Sequence, residues 1–225
     1  MTLVDTGIGL ADVAEPERRI GQPAIEAAGF QFHAHSTAAR QIEWLGYSTD
    51  QVTDIVLTHC DPDHAGGLSD FPDATVHISA EEHQALASGN PRYCPCQFEH
   101  GPKWRTYGPA NDPQPAENWF GIEARRIDAN CDIDVLLVPL FGHTLGHCGV
   151  AVRDGARWQL HVGDAYYLRV ELENDDHPVS QLAALRAEDP VARVESLAKL
   201  RRLQREHAGD VRMFGYHDVV ELDAS

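Results

Sequence analysis

A layered α/β or α+β fold is what this sequence predicts, and three observations predict it. Strand-like runs alternate with helix-like ones along the chain, sheet segments occur in both halves, and polar loops sit at strand ends. No internal repeat or low-complexity tract interrupts that pattern. At 225 residues the chain is long enough to bury one sizeable core, and nothing in its composition calls for a second, so residues 1–225 read as one domain.

The elements follow in order. "TLVDTGIG" reads as a strand ending in a turn, and "AARQIEWLGYSTDQ" as a helix stopped at Gly46. "VTDIVLTH" is a buried strand, "ATVHIS" another, and "AEEHQALAS" a helix with Ser79 at its N-cap and Glu82 three residues on. "DIDVLLVPL", "CGVAVRD" and "RWQLHVGDAYY" are three β-rich runs, two of them meeting at the turn "RDGA". Residues 191–207 are helical, with Val191, Val194, Leu197, Leu200 and Leu203 expected along one side, and "VRMFGYH" is the last strand.

Residues 88–121 break this rhythm. The stretch is rich in proline, carries Tyr93, Trp104, Tyr107, Trp119 and Phe120, and is too long for a plain connection. Two readings stand side by side: a cover over an active site that contacts the apolar part of a substrate, and a surface excursion whose aromatics plug the core.

Charge and composition exclude several classes. Lys and Arg number 18 against 35 Asp and Glu, a formal net charge of −17, which repels nucleic-acid phosphates. The one dense basic run, "KLRRLQR", lies on the expected helix. No apolar run approaches the roughly 20 residues of a membrane span, and "MTLVDTGIGL" resembles no leader, so a cytoplasmic protein without a membrane partner is expected. The five cysteines are odd in number and irregularly spaced, which suits reduced thiols. Cys94 and Cys96, near His100, suggest a small zinc site, but the pair has no matching second pair.

The residues that carry chemistry begin in "THCDPDHAGG". If the strand continues into it, His59, Asp61 and Asp63 at i, i+2 and i+4 point the same way, while His64 projects elsewhere and could serve a second centre. Pro62 keeps Asp61 extended, and Gly66 and Gly67 let the chain turn closely past whatever is bound. Two imidazoles and two carboxylates are too few to close two metal sites. Further ligand-type residues stand at other strand ends: His143 in "PLFGHTLGHCG", Asp164 in "LHVGDAYY" and His217 in "VRMFGYHD".

Taken in order, "LVDTG", "HCDPDH", "GHTLGH", "GD" and "GYHD" resemble the motifs of the metallo-β-lactamase superfamily of metal-dependent hydrolases, in an HxDxDH variant, over nearly the whole chain. The resemblance implies a four-layer αββα sandwich. It also implies two divalent metal ions: His59, Asp61 and His143 on the first, Asp63, His64 and His217 on the second, and Asp164 between them. His147 and Asp5 are then residues that support the ligands. Two such ions, roughly 3.5–4 Å apart, lower the pKa of a bridging water and yield hydroxide for attack on a carbonyl or phosphoryl centre. Asp63 would hold a metal and orient or accept the proton. Tyr167, three residues after Asp164, would assist at the substrate oxygen, as a tyrosine does in lactone-cleaving relatives; a packed aromatic pair with Tyr166 is the plainer alternative. An aspartic-protease reading of "LVDTG" leaves every histidine motif unexplained.

Two departures from the family matter. Asp61 stands where most members have histidine, which makes iron or manganese more competitive, with zinc still the first expectation. Only Met1 to Leu3 precede "LVDTG", where the family has a few dozen residues, so the first N-terminal strands are expected to be missing, through a start assigned too late or a shortened chain, and the exposed edge would invite a homodimer. The expected function is hydrolysis of a small ester, lactone or related carbonyl substrate. An iron-dependent redox enzyme handling oxygen or sulfur is the alternative on the same fold. A degenerate binding protein would have lost ligands, and nuclease relatives carry basic surfaces that this chain lacks.

Overall fold

The computed structural model describes residues 1–108 and 116–222, so the 109–115 part of the proline-rich stretch lies outside the described residues. The chain divides into two compact units, Met1–Ile78 with Leu86–Arg105, and Ser79–Ala85 with Thr106–Ser225. Both are mixed α/β.

In the first unit, β1 (Thr2–Val4) is followed by three short helices, α1 (Leu10–Ala14), α2 (Pro16–Arg19) and α3 (Gln22–Ala28), and then by α4 (Ala38–Trp44), β2 (Asp54–Val56) and α5 (Pro62–Ala65). The strand β3 (Thr75–Ser79), the helix α6 (Ala80–Ala87) and the strand β4 (Lys103–Tyr107) come next, and they carry the chain across the boundary between the units. The sheet runs β1-β2-β3-β4, with β1 parallel to β2 and β2 parallel to β3. Central parallel strands are covered on both faces and therefore read as unbroken apolar runs. Ile55, Val56 and Leu57 are accordingly all buried. The helices α1 to α3 have no strong apolar period in the sequence, and they begin instead with local signals: Pro16 and Pro23 in first turns, Gly29 as a left-handed cap.

In the second unit, β5 (Glu117–Trp119), β6 (Ile122–Arg126), β7 (Val135–Pro139), β8 (Cys148–Asp154) and β9 (Arg157–His161) form an antiparallel meander. Then come α7 (Pro178–Arg186), α8 (Pro190–His207), β10 (Val211–Phe214) and α9 (Val219–Leu222). β10 joins β9 in parallel, which requires a long crossover, and α8 lies within it. The β8–β9 turn falls on "RDGA" as expected, with Gly155 at φ 56°.

Helix α8 begins at Asp189, whose carboxylate accepts the N–H groups of Val191 and Ala192, both at 3.0 Å, with Pro190 in its first turn. Its buried face differs from the expected one. Leu197, Leu200 and Leu203 are buried, but Val191 and Val194 are 71% and 63% exposed, and Arg193 and Ser196 take their place. A stripe spaced by three residues drifts about 60° per step around a 3.6-residue turn, so five members cannot share one face.

The core of this unit packs Leu136, Val138, Leu160, Leu200, Leu203 and Met213 around Trp119 and Trp158, whose rings meet edge-on at 5.8 Å. Burying each of these side chains contributes roughly 1.5–3 kcal/mol. The proline-rich stretch is thus not all loop: it contains β4 and β5, and Tyr107 and Trp119 are core residues. Among the described residues no helix is long and apolar enough to cross a membrane.

Candidate metal centre

The first unit carries "HCDPDH", but an extended strand does not present it. β2 ends at Val56, and Pro62 opens the short helix α5, with Asp61 as its extended N-cap (φ −63°, ψ 151°). Proline is suited to that first helical position, and this is why the expected i, i+2, i+4 alternation fails beyond Asp61. His59 and His64, expected to diverge, stand with ring centroids 4.0 Å apart, and both are fully buried. Gly66 and Gly67 are also required to be small by their own protein neighbours. A Cβ on Gly67 would meet the Thr6 carbonyl at 2.8 Å, and one on Gly66 would meet the Asp12 carboxylate at 2.3 Å.

A network anchored on Asp5 orients both imidazoles. Asp5, in the left-handed region at φ 56°, accepts the Thr58 N–H at 2.8 Å on Oδ1, and lies 2.8 Å from both the Thr58 hydroxyl and His64 Nδ1 on Oδ2. Thr58 Oγ1 is also 2.9 Å from His59 Nδ1. A carboxylate only accepts, so His64 donates from Nδ1; Thr58 gives its proton to Asp5 and accepts from His59 Nδ1. Both histidines are thereby set in the tautomer whose Nε2 carries a lone pair. His59 Nε2 lies 3.5 Å from Asp61 Oδ2, and His64 Nε2 3.9 Å from Asp63 Oδ2. Asp63 is the more accessible carboxylate, with its side chain 20% exposed.

One partner in this unit has no signal in the motifs. Arg92 grips Asp61 with two hydrogen bonds, Nε to Oδ1 at 2.6 Å and Nη2 to Oδ2 at 2.5 Å. Its backbone N–H is held by Asn90 Oδ1 at 3.0 Å, beside the buried ring of Tyr93. Cys94 and Cys96 make no cluster with His100: Cys96 Sγ donates to the Arg19 carbonyl at 3.4 Å, and burial pushes the Cys94 thiol up to about 11, so it stays protonated.

The second unit carries His143, Asp164 and His217 on three loops at strand ends. The "GHTLGH" loop follows β7 and is pinned by Glu82, which accepts from the Thr144 hydroxyl at 2.6 Å and the Gly146 N–H at 3.1 Å. Ser79 donates to the Gly146 carbonyl at 2.6 Å. Gly142, at φ 126°, lies so close to Arg193 that a Cβ would fall 2.1 Å from that residue's nitrogen. Asp164 follows β9, and its N–H is accepted by His147 Nε2 at 2.9 Å, while His147 Nδ1 donates to the Leu140 carbonyl at 2.9 Å. Both nitrogens of His147 are engaged in holding backbone. Asp164 Oδ2 lies 3.4 Å from His143 Nε2 and 3.3 Å from His217 Nε2.

Of the two tyrosines after Asp164, Tyr166 is fully buried and donates to Glu221 at 3.1 Å, and burial holds its phenol well above the ordinary range. Tyr167 is half-buried, with its ring edge-on to His143 at 5.8 Å and to His217 at 5.2 Å. Glu221 also accepts from Arg169 at 2.6 Å and from the Gly215 N–H at 2.7 Å, tying the loop after Asp164 to the one that leads to His217. Glu82, Glu221, Arg92 and Glu171, which accepts the Tyr167 N–H at 2.7 Å, are the supporting residues that motif reading misses. His77 is fully buried, 2.9 Å from Asp54.

The donor set fits divalent metal. Imidazole nitrogens and carboxylate oxygens are zinc, iron and manganese ligands. Two donors each about 2.1 Å from a tetrahedral ion stand about 3.4 Å apart. The spacings His59–Asp61, His143–Asp164 and His217–Asp164, 3.5, 3.4 and 3.3 Å, are those of donors around an ion and are long for charge-assisted hydrogen bonds.

This fold and donor chemistry are those that metal-dependent hydrolases use, and the chain's relatives place it among them. The chain belongs to the metallo-β-lactamase superfamily, whose profile, described as "Metallo-beta-lactamase superfamily", matches residues 2–211. It is 38% identical over 234 residues to a probable metallo-hydrolase of Mycobacterium bovis and equally to one of Mycobacterium tuberculosis, covering 97% of this chain and 71% of each relative. Among solved structures it is similar to an N-acyl homoserine lactone hydrolase with N-hexanoyl-L-homoserine at its catalytic metal centre: TM-score 0.70, 18% identity, 99% of this chain and 79% of that one. It is also similar to AidC, a dizinc quorum-quenching lactonase, with TM-score 0.57, 21% identity, and coverage of 97% and 68%. At these identities the structures speak for the fold.

Proposed function

We propose that this enzyme hydrolyses a small ester, lactone or related carbonyl substrate with two divalent ions, zinc in first place and iron or manganese as competitors. The ligand set carried over from the family is His59, Asp61 and His143 for the first ion and Asp63, His64 and His217 for the second, with Asp164 bridging. The observation that carries the reading is Asp164 Oδ2 at 3.4 Å and 3.3 Å from the Nε2 atoms of His143 and His217, a spacing suited to a shared carboxylate. Lactone hydrolysis by structural neighbours supports the substrate class.

Bound divalent ions supply Lewis acidity, lowering the pKa of water and stabilising negative charge on the substrate oxygen. The chain's own residues do the rest. Asp5 and Thr58 keep the lone pairs of His59 and His64 on Nε2. Asp63, the accessible carboxylate, orients or takes a proton from the attacking water. Tyr167, between His143 and His217 and half-open to solvent, offers its hydroxyl to the substrate oxygen. The acidic composition argues against nucleic acid as a substrate, and an odd number of irregularly spaced cysteines suits a cytoplasmic enzyme.

The test is a hydrolysis screen over lactones, aryl esters, thioesters, β-lactams and phosphodiesters with zinc, manganese and iron, beside elemental analysis. Lactone or ester turnover that disappears in His59→Ala is expected. Turnover that survives His59→Ala, or less than one metal ion per chain, overturns the reading.

A further inference from the structure

The proposed ligand set leaves Arg92 unexplained. A guanidinium is an unusual neighbour for a metal ligand, because it competes for the same carboxylate and repels the ion. Here it holds both oxygens of Asp61, at 2.6 and 2.5 Å, and only 11% of the Arg92 side chain and 7% of the Asp61 side chain are exposed. A pair so little exposed is weakly screened by salt. The fork also fixes the carboxylate plane, as a bidentate Arg–carboxylate pair does.

Two facts belong together. Asp61 stands where most of the family has a neutral histidine and so brings one extra negative charge, and Arg92 brings one positive charge to that same side chain. Asp61 Oδ2, the oxygen bonded to Nη2, is also the one 3.5 Å from His59 Nε2. A carboxylate oxygen has lone-pair capacity for both a guanidinium and an ion.

We propose that Arg92 is a positioning residue for the first metal site, and that Arg92 and Asp61 act together as a charge-neutral replacement for a histidine ligand, the fork setting the carboxylate's direction and cancelling its added charge. The inference rests on the reading of Asp61 as a ligand. It predicts that the two positions are coupled. Histidine at 61 suits the site better once the cation at 92 is gone, since an imidazole that binds an ion cannot accept the guanidinium's fork and loses the anion that the fork neutralises.

The test uses the full chain and measures zinc affinity by competition with a chromophoric chelator, together with metal ions per chain, for wild type, Asp61→His, Arg92→Met and the double variant Asp61→His/Arg92→Met. Asp61→His alone is expected to weaken the tighter-held zinc about 10- to 100-fold, the range for disturbed ligand support. The double variant should recover to within about threefold of wild type. Arg92→Met alone should shift preference from zinc towards manganese, as an uncompensated hard anion would. If that variant fails to fold because it strands a buried anion, the double variant, which has neither charge, still decides the question. A double variant no tighter than Asp61→His overturns the proposal. His59→Ala separates the two levels: wild-type metal content in His59→Ala removes the ligand assignment itself, whereas lost metal there with no recovery in the double variant removes only the role of Arg92.

Discussion

His147 Nε2 accepts the backbone N–H of Asp164 at 2.9 Å, and the opposite nitrogen of the same ring donates to the Leu140 carbonyl at 2.9 Å. The ring is fully buried, so it bridges two backbone segments that water does not reach. In His147→Ala both groups lose this partner, at a cost of about 1–3 kcal/mol for each one left unsatisfied. Asp164 also loses the contact that sets its direction. The expected outcome is a lower melting temperature together with about 10- to 100-fold weaker metal retention, checked by calorimetry and by elemental analysis after dialysis. Unchanged metal content would show that Asp164 is held without His147.

Asp5 offers a cleaner separation of fold from chemistry. Asn tolerates the left-handed backbone that Asp5 adopts at φ 56°, so Asp5→Asn keeps the turn. If its amide oxygen keeps the Thr58 N–H, its NH2 group faces His64 Nδ1, 2.8 Å away, and that nitrogen must switch from donor to acceptor. The proton then moves to Nε2, where a metal would bind. Stability close to wild type with the His64 site weakened about 10- to 100-fold is expected. The shift of the proton is read directly from the imidazole nitrogen resonances of the apo protein by NMR.

The ligand-type residues were legible because metal chemistry admits few side chains, and each of His59, Asp61, Asp63, His64, His143, Asp164 and His217 lies in a short motif. Their supports were not. Arg92 reaches Asp61 from 31 residues away and Glu82 reaches Thr144 from 62, separations at which no local pattern survives. The central strands announced themselves through apolar runs such as "DIVL" and "VLLV", whereas α1 to α3 rest on caps and prolines, which period reading does not weigh. The stripe expected on α8 failed at Val191 and Val194 for a geometric reason, the drift of a three-residue spacing. In "HCDPDH" Pro62 keeps Asp61 extended, as the sequence implies, but it also starts a helix, which the sequence reading did not weigh, and this turns His64 beside His59.

Gly146 marks where the His143 loop depends on close packing. A Cβ there would lie 2.0 Å from the nitrogen of Glu82 and 2.5 Å from its Cα, both backbone atoms that cannot move aside cheaply. Gly146→Ala should therefore destabilise the protein by about 1–3 kcal/mol and loosen the loop that presents His143. Urea unfolding measures the first effect and metal retention the second. Gly155→Ala is the control: no atom lies within 4 Å of its Cβ position, so only the strain of φ 56° is added, far from any proposed ligand.

His83 on α6 sets an expectation for the acid side of the stability curve. Burial holds its pKa below the ordinary 6.5, because the charged imidazolium is poorly solvated there. The unfolded chain then binds the proton more readily than the folded one, so the difference in bound protons favours unfolding as the pH falls through 6.5 towards the lowered folded-state value. Above about pH 7.5 the ring is neutral in both states and contributes no slope. His83→Gln, which cannot titrate, should retain more of its pH 7.5 stability at pH 5.5 than wild type retains, with urea midpoints of the apo proteins as the measure. Equal losses in the two proteins would mean that the imidazole is solvated enough to ionise in place.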